Sequence, residues 1–518
     1  MTVPGTWEVE FHDFLNPLDL GLDPHMERFG NLVARARQNS ARHGTPVLIG
    51  PDGRSDARVQ LFFRTGPMAS ARPLTWRRYA FALKVWLMFL DAVGTTWDAA
   101  TVADMDAFKD WRLNDVRNLE RVAPSTFDTD RAALNTFYTW ASARYGVFNP
   151  IAPVARSGSM TTGEKRAGRD PGRPAGARRR QVKWVLRPAF EQWRDVGLRG
   201  YGFDGLRVQS WRGWNEDRDA AFVDGLYGTG LRLGEWASIL DIEVPAGGVG
   251  RFPRTWLSAA CVKGAKEGRK YFVPSTVLST IAAYTDPLSG SRAESIARAQ
   301  RAGRYEQVPG RRIVTGYNRR SRVLHVLDPS GSKPVSVDVL GPAERRLLFR
   351  KGENGLEPLS LWLSWDGMPR LAHSWEDTFA AANGRIQRAW SEAGGEGEAA
   401  LWLRPHMCRH SFALKWFSIL SLVWEPRIEG LSAEERKDLR DQIGDVWFQL
   451  ATLLGHADPA TTRDYYLEPF NSLQMDYLMS LLDGEETAAV DAMVTTMARA
   501  GGRTLAPITP GEASEVSQ

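Results

Sequence analysis

Apolar residues recur at three- and four-residue steps along much of the chain, which predicts a mostly helical protein. The spacing is most regular from about residue 70 to 150, where Trp76, Leu83 and Leu90 share one helical face. Leu134 and Tyr138 mark a similar face further along. This region is therefore predicted to be a bundle of four or five helices.

The stretch from about residue 184 to 482 mixes helical spacing with strand-like alternation. Asp219–Tyr227 and Ser374–Trp390 predict helices. Ala259–Pro274 predicts a hairpin with a basic, glycine-containing tip, and Arg312–Val339 alternates like further strands. The predicted fold class is mostly α with a small β-sheet, in which an N-terminal helical domain precedes a mixed α+β domain.

Amino-acid composition indicates segment boundaries that the spacing of apolar residues does not. Residues 153–183 are rich in Gly, Pro, Ser and Arg, which is typical of a flexible linker, and they end in a basic cluster of Arg178, Arg179 and Arg180. Such a tether favours a polyanionic partner, because each neutralised phosphate releases counterions. The predicted segments are 1–65 of unassigned role, 66–152 helical, 153–183 linker, 184–482 mixed, and 483–518 a disordered tail.

The bulk properties narrow the class of protein. At 518 residues the chain is too long for a single core, and a formal charge of +5 permits a nucleic-acid partner without requiring one. Only Cys261 and Cys408 are present, too few for a disulfide framework or a four-cysteine zinc site. Neither a signal peptide nor a run of about 18 apolar residues is present, so a cytoplasmic location is expected.

The mixed domain carries three short motifs whose side chains are charged or nucleophilic, and a tyrosine pair follows the last of them. They are TGLR at 229–232, HMCRH at 406–410 and LGH at 454–456, followed by Tyr465 and Tyr466. Taken singly, each motif has an ordinary structural interpretation: TGLR is typical of a helix-capping turn, and His456 could simply pack. The histidines at 406 and 410 have the spacing of a zinc helix, but Arg409 between them would repel a cation.

Together, these residue types match the needs of phosphodiester cleavage. The reaction requires a nucleophile, a clamp on the non-bridging oxygens, and an acid for the departing sugar oxygen. Arg232 and Arg409 can bind phosphate oxygens through two donors each, and they remain charged at any working pH. A tyrosine becomes nucleophilic once a base or a positive field removes its proton. A lysine at the hairpin tip, Lys263 or Lys266, suits the acid.

The order of these motifs resembles the tyrosine recombinases, the phage-integrase family. The resemblance covers roughly residues 70 to 480 and implies that Arg232, His406, Arg409 and His456 are catalytic. It implies that Tyr465, nine residues after His456, is the nucleophile rather than Tyr466, and that Lys263 is the acid.

The resemblance also implies an architecture and an activity. The helical domain would be a SAM-like core-binding domain that forms a clamp around double-stranded DNA with the catalytic domain. A 3′-phosphotyrosyl intermediate would conserve bond energy without metal, cofactor or ATP, and four protomers would act across two sites. Separately, the apolar spacing at Leu473–Leu482 predicts a helical face that docks either on a neighbouring protomer, as a tether, or on its own catalytic domain. The expected DNA contacts are Arg77, Arg78, Arg131, Arg178, Arg179, Arg180 and Lys266.

The motif spacing departs from the family at two places. The gaps before the second and third motifs are long, which places insertions near 287–355 and 420–445. Two alternatives remain on the sequence alone. A type IB topoisomerase would apply the same chemistry to one duplex, and an inactive relative would bind DNA without cutting it.

Overall fold

The computed structural model divides the chain into two compact units, Met1–Arg179 and Arg180–Gln518, and helices are the main secondary structure of its described residues. It is mostly α with small β-sheets, which confirms the fold class predicted from the apolar spacing. Among the described residues, no helix is both long and apolar enough to cross a membrane. The described residues are 6–14, 32–151, 184–245, 252–262, 267–328, 331–428, 431–456, 459–460, 462–463 and 504–505.

The first unit combines helices with a two-stranded antiparallel sheet. Its strands are β1 (Glu8–Phe11) and β2 (Pro46–Ile49), and its helices are α1 (Leu32–Gln38), α2 (Ala57–Phe62), α3 (Pro73–Ala92), α4 (Val102–Leu113) and α5 (Pro124–Tyr145).

The core of the first unit is dominated by aromatic side chains from α3, α4 and α5. The Trp86 indole donates a hydrogen bond to the Tyr138 hydroxyl at 2.9 Å, and that hydroxyl donates to the Trp97 carbonyl at 2.8 Å. These bonds satisfy polar atoms that burial would otherwise leave unpaired. Leu48 and Phe62 pack into the same core. Part of the 1–65 segment, for which the sequence indicates no role, therefore contributes to this core.

The second unit begins with β3 (Trp184–Val185). Its helices are α6 (Arg187–Arg199), α7 (Glu216–Thr229), α8 (Leu233–Trp236), α9 (Ser275–Thr285), α10 (Ser291–Arg301), α11 (Pro342–Arg345), α12 (Ser374–Glu392), α13 (Pro405–Ile428), α14 (Ala433–Ile443) and α15 (Val446–Leu454).

A large buried core joins α6, α7, α12 and the start of α13. Phe222 of α7 stacks on Trp375 of α12 with ring centroids 3.5 Å apart, and Trp193 of α6 stacks on Phe379. Cys408 at the start of α13 belongs to the same core. Dense packing of this kind resists displacement, so it holds the end of α7 and the start of α13 in a defined relation.

Three sheets occur among the described residues of the second unit. An antiparallel pair consists of β4 (Arg254–Leu257) and β5 (Arg269–Phe272), while β11 (Thr504–Leu505) pairs in parallel with β3. The largest sheet has the order β10-β9-β6-β7-β8 and contains β6 (Arg312–Asn318), β7 (Val323–Asp328), β8 (Gly331–Ser336), β9 (Leu348–Gly352) and β10 (Gly355–Pro358).

The hairpin differs in detail from the sequence prediction. Its first strand, β4, lies before the predicted start at Ala259, and Ala259–Cys261 forms a 3-10 turn instead. Directly after this strand, the Ser258 hydroxyl donates a hydrogen bond to Asp338 at 2.9 Å. The residues at 263–266 lie outside the described part of the chain.

The large sheet and α10 occupy most of the stretch near 287–355, where the motif spacing predicts an insertion. The buried Glu243 carboxylate anchors this region, because it accepts hydrogen bonds from both Arg322 and Arg345. Near 420–445, the other predicted insertion, the structure contains the end of α13 and the charged helix α14.

Candidate active site

The Arg409 side chain connects the ends of two helices that are distant in sequence. Its guanidinium donates through Nη1 to the Gly230 carbonyl at 2.6 Å and through Nη2 to the Leu454 carbonyl at 2.7 Å. The last carbonyls of a helix have no partner within it, and a cation there is favoured by the helix dipole. Arg409 is only 2% exposed, so both bonds form away from water.

Each of these two helices ends at a glycine in the left-handed region. Gly230 has φ +63° after α7, and Gly455 has φ +67° after α15. Glycine adopts this conformation without the Cβ penalty that other residues incur, so it ends each helix abruptly. The chain then turns toward Arg409 at both places. As a result, Arg232 and His456, which follow the two glycines closely in sequence, are brought to one region.

Arg232 is held by Glu235 within the first turn of α8. The Glu235 carboxylate accepts from the Arg232 backbone N–H at 3.0 Å and from Arg232 Nη1 at 2.9 Å. A third bond comes from Nη2 of Arg269, at the start of β5, at 3.0 Å. Burial opposes ionisation of Glu235, but the charges of Arg269 and Arg232 outweigh it, so its pKa lies below the ordinary value.

Hydrogen bonds at both ring nitrogens fix the orientation of the His456 imidazole. Nε2 lies 3.0 Å from Arg409 Nη2, and Nδ1 lies 2.6 Å from the Thr462 hydroxyl. Because a guanidinium can only donate, Nε2 must be the acceptor and the ring proton resides on Nδ1. Burial, with the charges of Arg409 and Arg232, lowers the pKa of His456 to about 4. The imidazole is therefore neutral near pH 7.

His406 and His410 lie one turn apart on α13, with ring centroids 4.5 Å apart and an edge-to-face arrangement. Burial, His406 and Arg409 lower the pKa of His410 to about 3. His406 is the more exposed of the two. Partial desolvation and the charges of Arg409 and Arg232 also lower its pKa. Neither ring adds positive charge near neutral pH.

The electrostatic balance of this region favours an anion. Arg232, Arg269 and Arg409 bring three guanidinium groups together, and Glu235 offsets one of them. The remaining positive charge suits a group with two non-bridging anionic oxygens. Among the described residues, no cluster of three or more His, Cys, Asp or Glu side chains is placed to hold a metal ion.

The structure brings only some of the predicted site residues together. Arg232, His406, Arg409 and His456 form the cluster described above. The candidate nucleophile, the candidate acid and the basic linker lie outside the described residues: Tyr465, Tyr466, Lys263, Lys266, Arg178, Arg179 and Arg180. The predicted apolar tether at residues 473–482 also lies outside them.

The remaining predicted DNA contacts belong to the first unit. Arg77 is exposed and lies over the rings of Phe11 and Phe81, at 5.7 and 5.6 Å. Arg78 is also exposed, whereas Arg131 is half-buried and lies 3.7 Å from Asp128. Arg77 and Arg78 are thus open to a partner, and Arg131 would have to leave an ion pair to reach one.

Sequence reasoning missed Arg269, which joins this cluster through its contact with Glu235. In the sequence it is an arginine at a basic hairpin, next to Lys270 and close to Lys266, and such residues are usually solvated. The alternation within β5 is the available signal, because it directs Arg269 and Tyr271 to the side opposite Lys270. Only the tertiary structure shows that this side is buried, because there Arg269 contacts Glu235 and the Leu453 carbonyl.

No protein-family model and no curated protein matches the chain. Among solved structures, the chain is similar to the XerH site-specific recombinase bound to palindromic difH substrate in a post-cleavage complex. That match has 12% identity and a TM-score of 0.41, and covers 84% of this chain and 86% of that one. It is also similar to a lambda integrase dimer bound to a COC′ core site (11% identity, TM-score 0.35, coverage 76% and 89%).

A third similar structure is the Tn1549 transposon integrase in complex with circular intermediate DNA, at 13% identity and a TM-score of 0.31, covering 91% of this chain and 96% of that one. All three similar structures are of recombinases or integrases.

Proposed function

We propose that this chain is a tyrosine-type site-specific DNA recombinase or integrase, which cuts and rejoins double-stranded DNA through a covalent phosphotyrosine. The observation that carries the proposal is the convergence of Arg232, Arg409 and His456 on one positively charged region through the two glycine-ended helices. Tyr465, nine residues after His456, is the proposed nucleophile.

In the proposed reaction, the Tyr465 hydroxyl oxygen attacks the phosphorus and the bond from phosphorus to the 5′-oxygen breaks. The 3′-phosphate remains on the tyrosine, and the departing oxygen takes a proton from the Lys263 ammonium. His406, which is neutral and exposed, accepts the proton that the tyrosine loses. Rejoining is the reverse attack by a 5′-hydroxyl, so bond energy is conserved and no ATP is required.

The arginines provide the charge stabilisation that a metal ion would otherwise supply. Arg232 is about one-third exposed, at 34%, and is placed to meet a phosphate from solvent. Arg409 is buried and contributes its positive charge from within the protein. Preorganised donors of this kind act where water is excluded and where the transition state develops charge. His456, neutral at working pH, takes part in hydrogen bonds without adding charge, whereas His406 becomes charged only when it takes the tyrosine proton.

The proposed partners are double-stranded DNA and further copies of this chain. Exchange between two duplexes requires coordinated cutting, which a single clamp around one duplex cannot provide. Four protomers across two sites satisfy this need, and the residues at 473–482 are the proposed tether between them.

A covalent-capture experiment tests the proposal. The full chain is incubated with a pool of duplexes of random sequence, each carrying one nick that lets the cleaved strand diffuse away, and adducts that survive detergent are isolated. We expect an adduct on the Tyr465 peptide that is absent in Tyr465→Phe and present in Tyr466→Phe. An adduct on neither tyrosine would favour an inactive DNA-binding protein.

The DNA recovered from those adducts then supplies a defined site for a second test. A recombinase exchanges strands between two linear duplexes that carry the site, and we expect this product. A type IB topoisomerase would instead relax a supercoiled circle without exchange, so relaxation alone would replace the proposed function with that alternative.

A further inference from the structure

We propose that Arg269 is a positioning residue for phosphodiester cleavage, which holds Glu235 and the end of α15 so that Arg232 and His456 face the same phosphate. The inference deepens the proposed function and rests on it. It rests on the contacts of Arg269, on its burial, and on the glycine that makes room for it.

Arg269 links Glu235, which holds Arg232, to the end of α15, which precedes His456. This link is separate from the contacts that Arg409 makes. Nη2 of Arg269 donates to the Glu235 carboxylate at 3.0 Å, and its Nη1 donates to the Leu453 carbonyl at 3.2 Å. Arg409 donates to the next carbonyl, that of Leu454. Two guanidinium groups therefore hold the consecutive carbonyls of Leu453 and Leu454 in the last turn of α15, and His456 lies two residues beyond Leu454.

Gly455 leaves the space that the Arg269 side chain occupies. A Cβ built on Gly455 would overlap the Nε and Cδ atoms of Arg269. Nε itself is buried and has no hydrogen-bond partner among the described residues. An arginine at this place loses solvation at Nε, and the two bonds made by its terminal nitrogens offset that loss.

The effect on Arg232 follows from how Glu235 shares its charge. The carboxylate is 2% exposed and lies between two guanidinium groups. With Arg269 present, its guanidinium balances part of the negative charge of Glu235, so Glu235 offsets less of the positive charge of Arg232. Without Arg269, the only ion pair left to Glu235 among the described residues is the one with Arg232, so less of the Arg232 charge is available to a phosphate.

A second buried glutamate in the same unit supplies a matched control. Glu243 is also held by two arginines, Arg322 and Arg345, and is as buried as Glu235. The Arg322 side chain is 17% exposed and that of Arg269 is 15% exposed. Arg322→Gln therefore removes a comparable ion pair with a buried glutamate, together with the Arg322–Asp338 pair, from a region that the proposed reaction does not use.

The experiment compares cleavage of two linkages at the defined site. One is an ordinary phosphodiester, and the other is a methylphosphonate, in which a methyl group replaces one non-bridging oxygen and removes its charge. A neutral linkage needs less positive charge from the enzyme. Full-length Arg269→Gln should lose about 10- to 100-fold in adduct formation on the phosphodiester, a loss typical when a group that orients an active-site ligand is removed. On the methylphosphonate it should lose much less.

Two further variants separate positioning from general destabilisation. Because Arg269 acts partly through Arg232, the Arg232→Gln, Arg269→Gln double variant should lose clearly less than the product of the two single-variant losses. Arg322→Gln should leave the ratio between the two linkages at the wild-type value. Where Arg269→Gln fails to fold, Arg269→Lys retains the charge, loses one of the two bonds, and should shift the ratio in the same direction.

The outcomes distinguish this inference from the function on which it rests. Wild-type protein that forms no adduct on either linkage would overturn the proposed function. Wild-type adduct with equal losses on both linkages in Arg269→Gln, or with additive losses in the double variant, would overturn the positioning role alone.

Discussion

Replacing Gly455 with alanine tests whether the glycine after α15 serves the backbone alone or also the Arg269 side chain. Gly455 has φ +67°, so alanine incurs the left-handed penalty of about 1–2 kcal/mol. The added methyl would also overlap the Arg269 guanidinium. Displacing that group weakens its bond to Leu453, a bond of about 1 kcal/mol, and its charged bond to Glu235, about 1.5–3 kcal/mol.

Summing these contributions, we expect Gly455→Ala to lower the free energy of unfolding of the second unit by about 3.5–6 kcal/mol. The matched control is Gly394→Ala. Gly394 also follows a helix, has φ +83°, and has no atom within 4 Å of a built Cβ. It should lose only the backbone contribution of about 1–2 kcal/mol.

Urea unfolding of the full-length chain, followed by far-ultraviolet circular dichroism, measures the difference between the two variants. Gly455→Ala should also lose adduct formation at urea concentrations where it remains folded, while Gly394→Ala should retain it. Equal destabilisation by the two substitutions would refute the reasoning, because it would show that Arg269 moves aside without cost.

Four other outcomes follow from the same physical account. Arg232→Lys should cleave roughly 10²-fold more slowly or worse, measured by adduct formation, because one ammonium cannot replace a two-donor fork; near-wild-type cleavage would remove this residue from the site. Lys263→Ala should be rescued by a 5′-bridging phosphorothiolate, whose sulfur departs without a proton, and rescue of Lys266→Ala instead would identify the other lysine as the acid. Because the folded pKa of His456 is about 4, below its ordinary 6.5, the unfolded chain binds a proton in that window and the folded protein does not. Its contribution to stability is therefore complete above pH 6.5 and is lost as pH falls toward 4. His456→Gln should therefore reduce the change in the free energy of unfolding that is measured across that pH range. Truncation after Phe470 should preserve binding of one protomer to DNA and abolish larger complexes in light scattering; unchanged stoichiometry would place the interface elsewhere.

Local sequence determined those parts of the protein that depend on neighbours in the chain. Apolar spacing specified the helices because a helix must bury one face, and it also distinguished the helical domain from the mixed one. The TGLR motif indicated a helix end at Gly230, because few other residues adopt a left-handed conformation there. Residue type likewise indicated phosphate chemistry for Arg232 and Arg409.

Only the tertiary structure decided how those residues meet. Nothing local shows that Arg409 binds the carbonyls of both Gly230 and Leu454, or that Arg269 reaches Glu235, because these contacts join segments far apart in sequence. The neutral state of His456 is also a tertiary property, since burial and nearby guanidinium charges lower its pKa. Sequence therefore specified which side chains could do the chemistry, and packing determined their orientation, their neighbours and their protonation state.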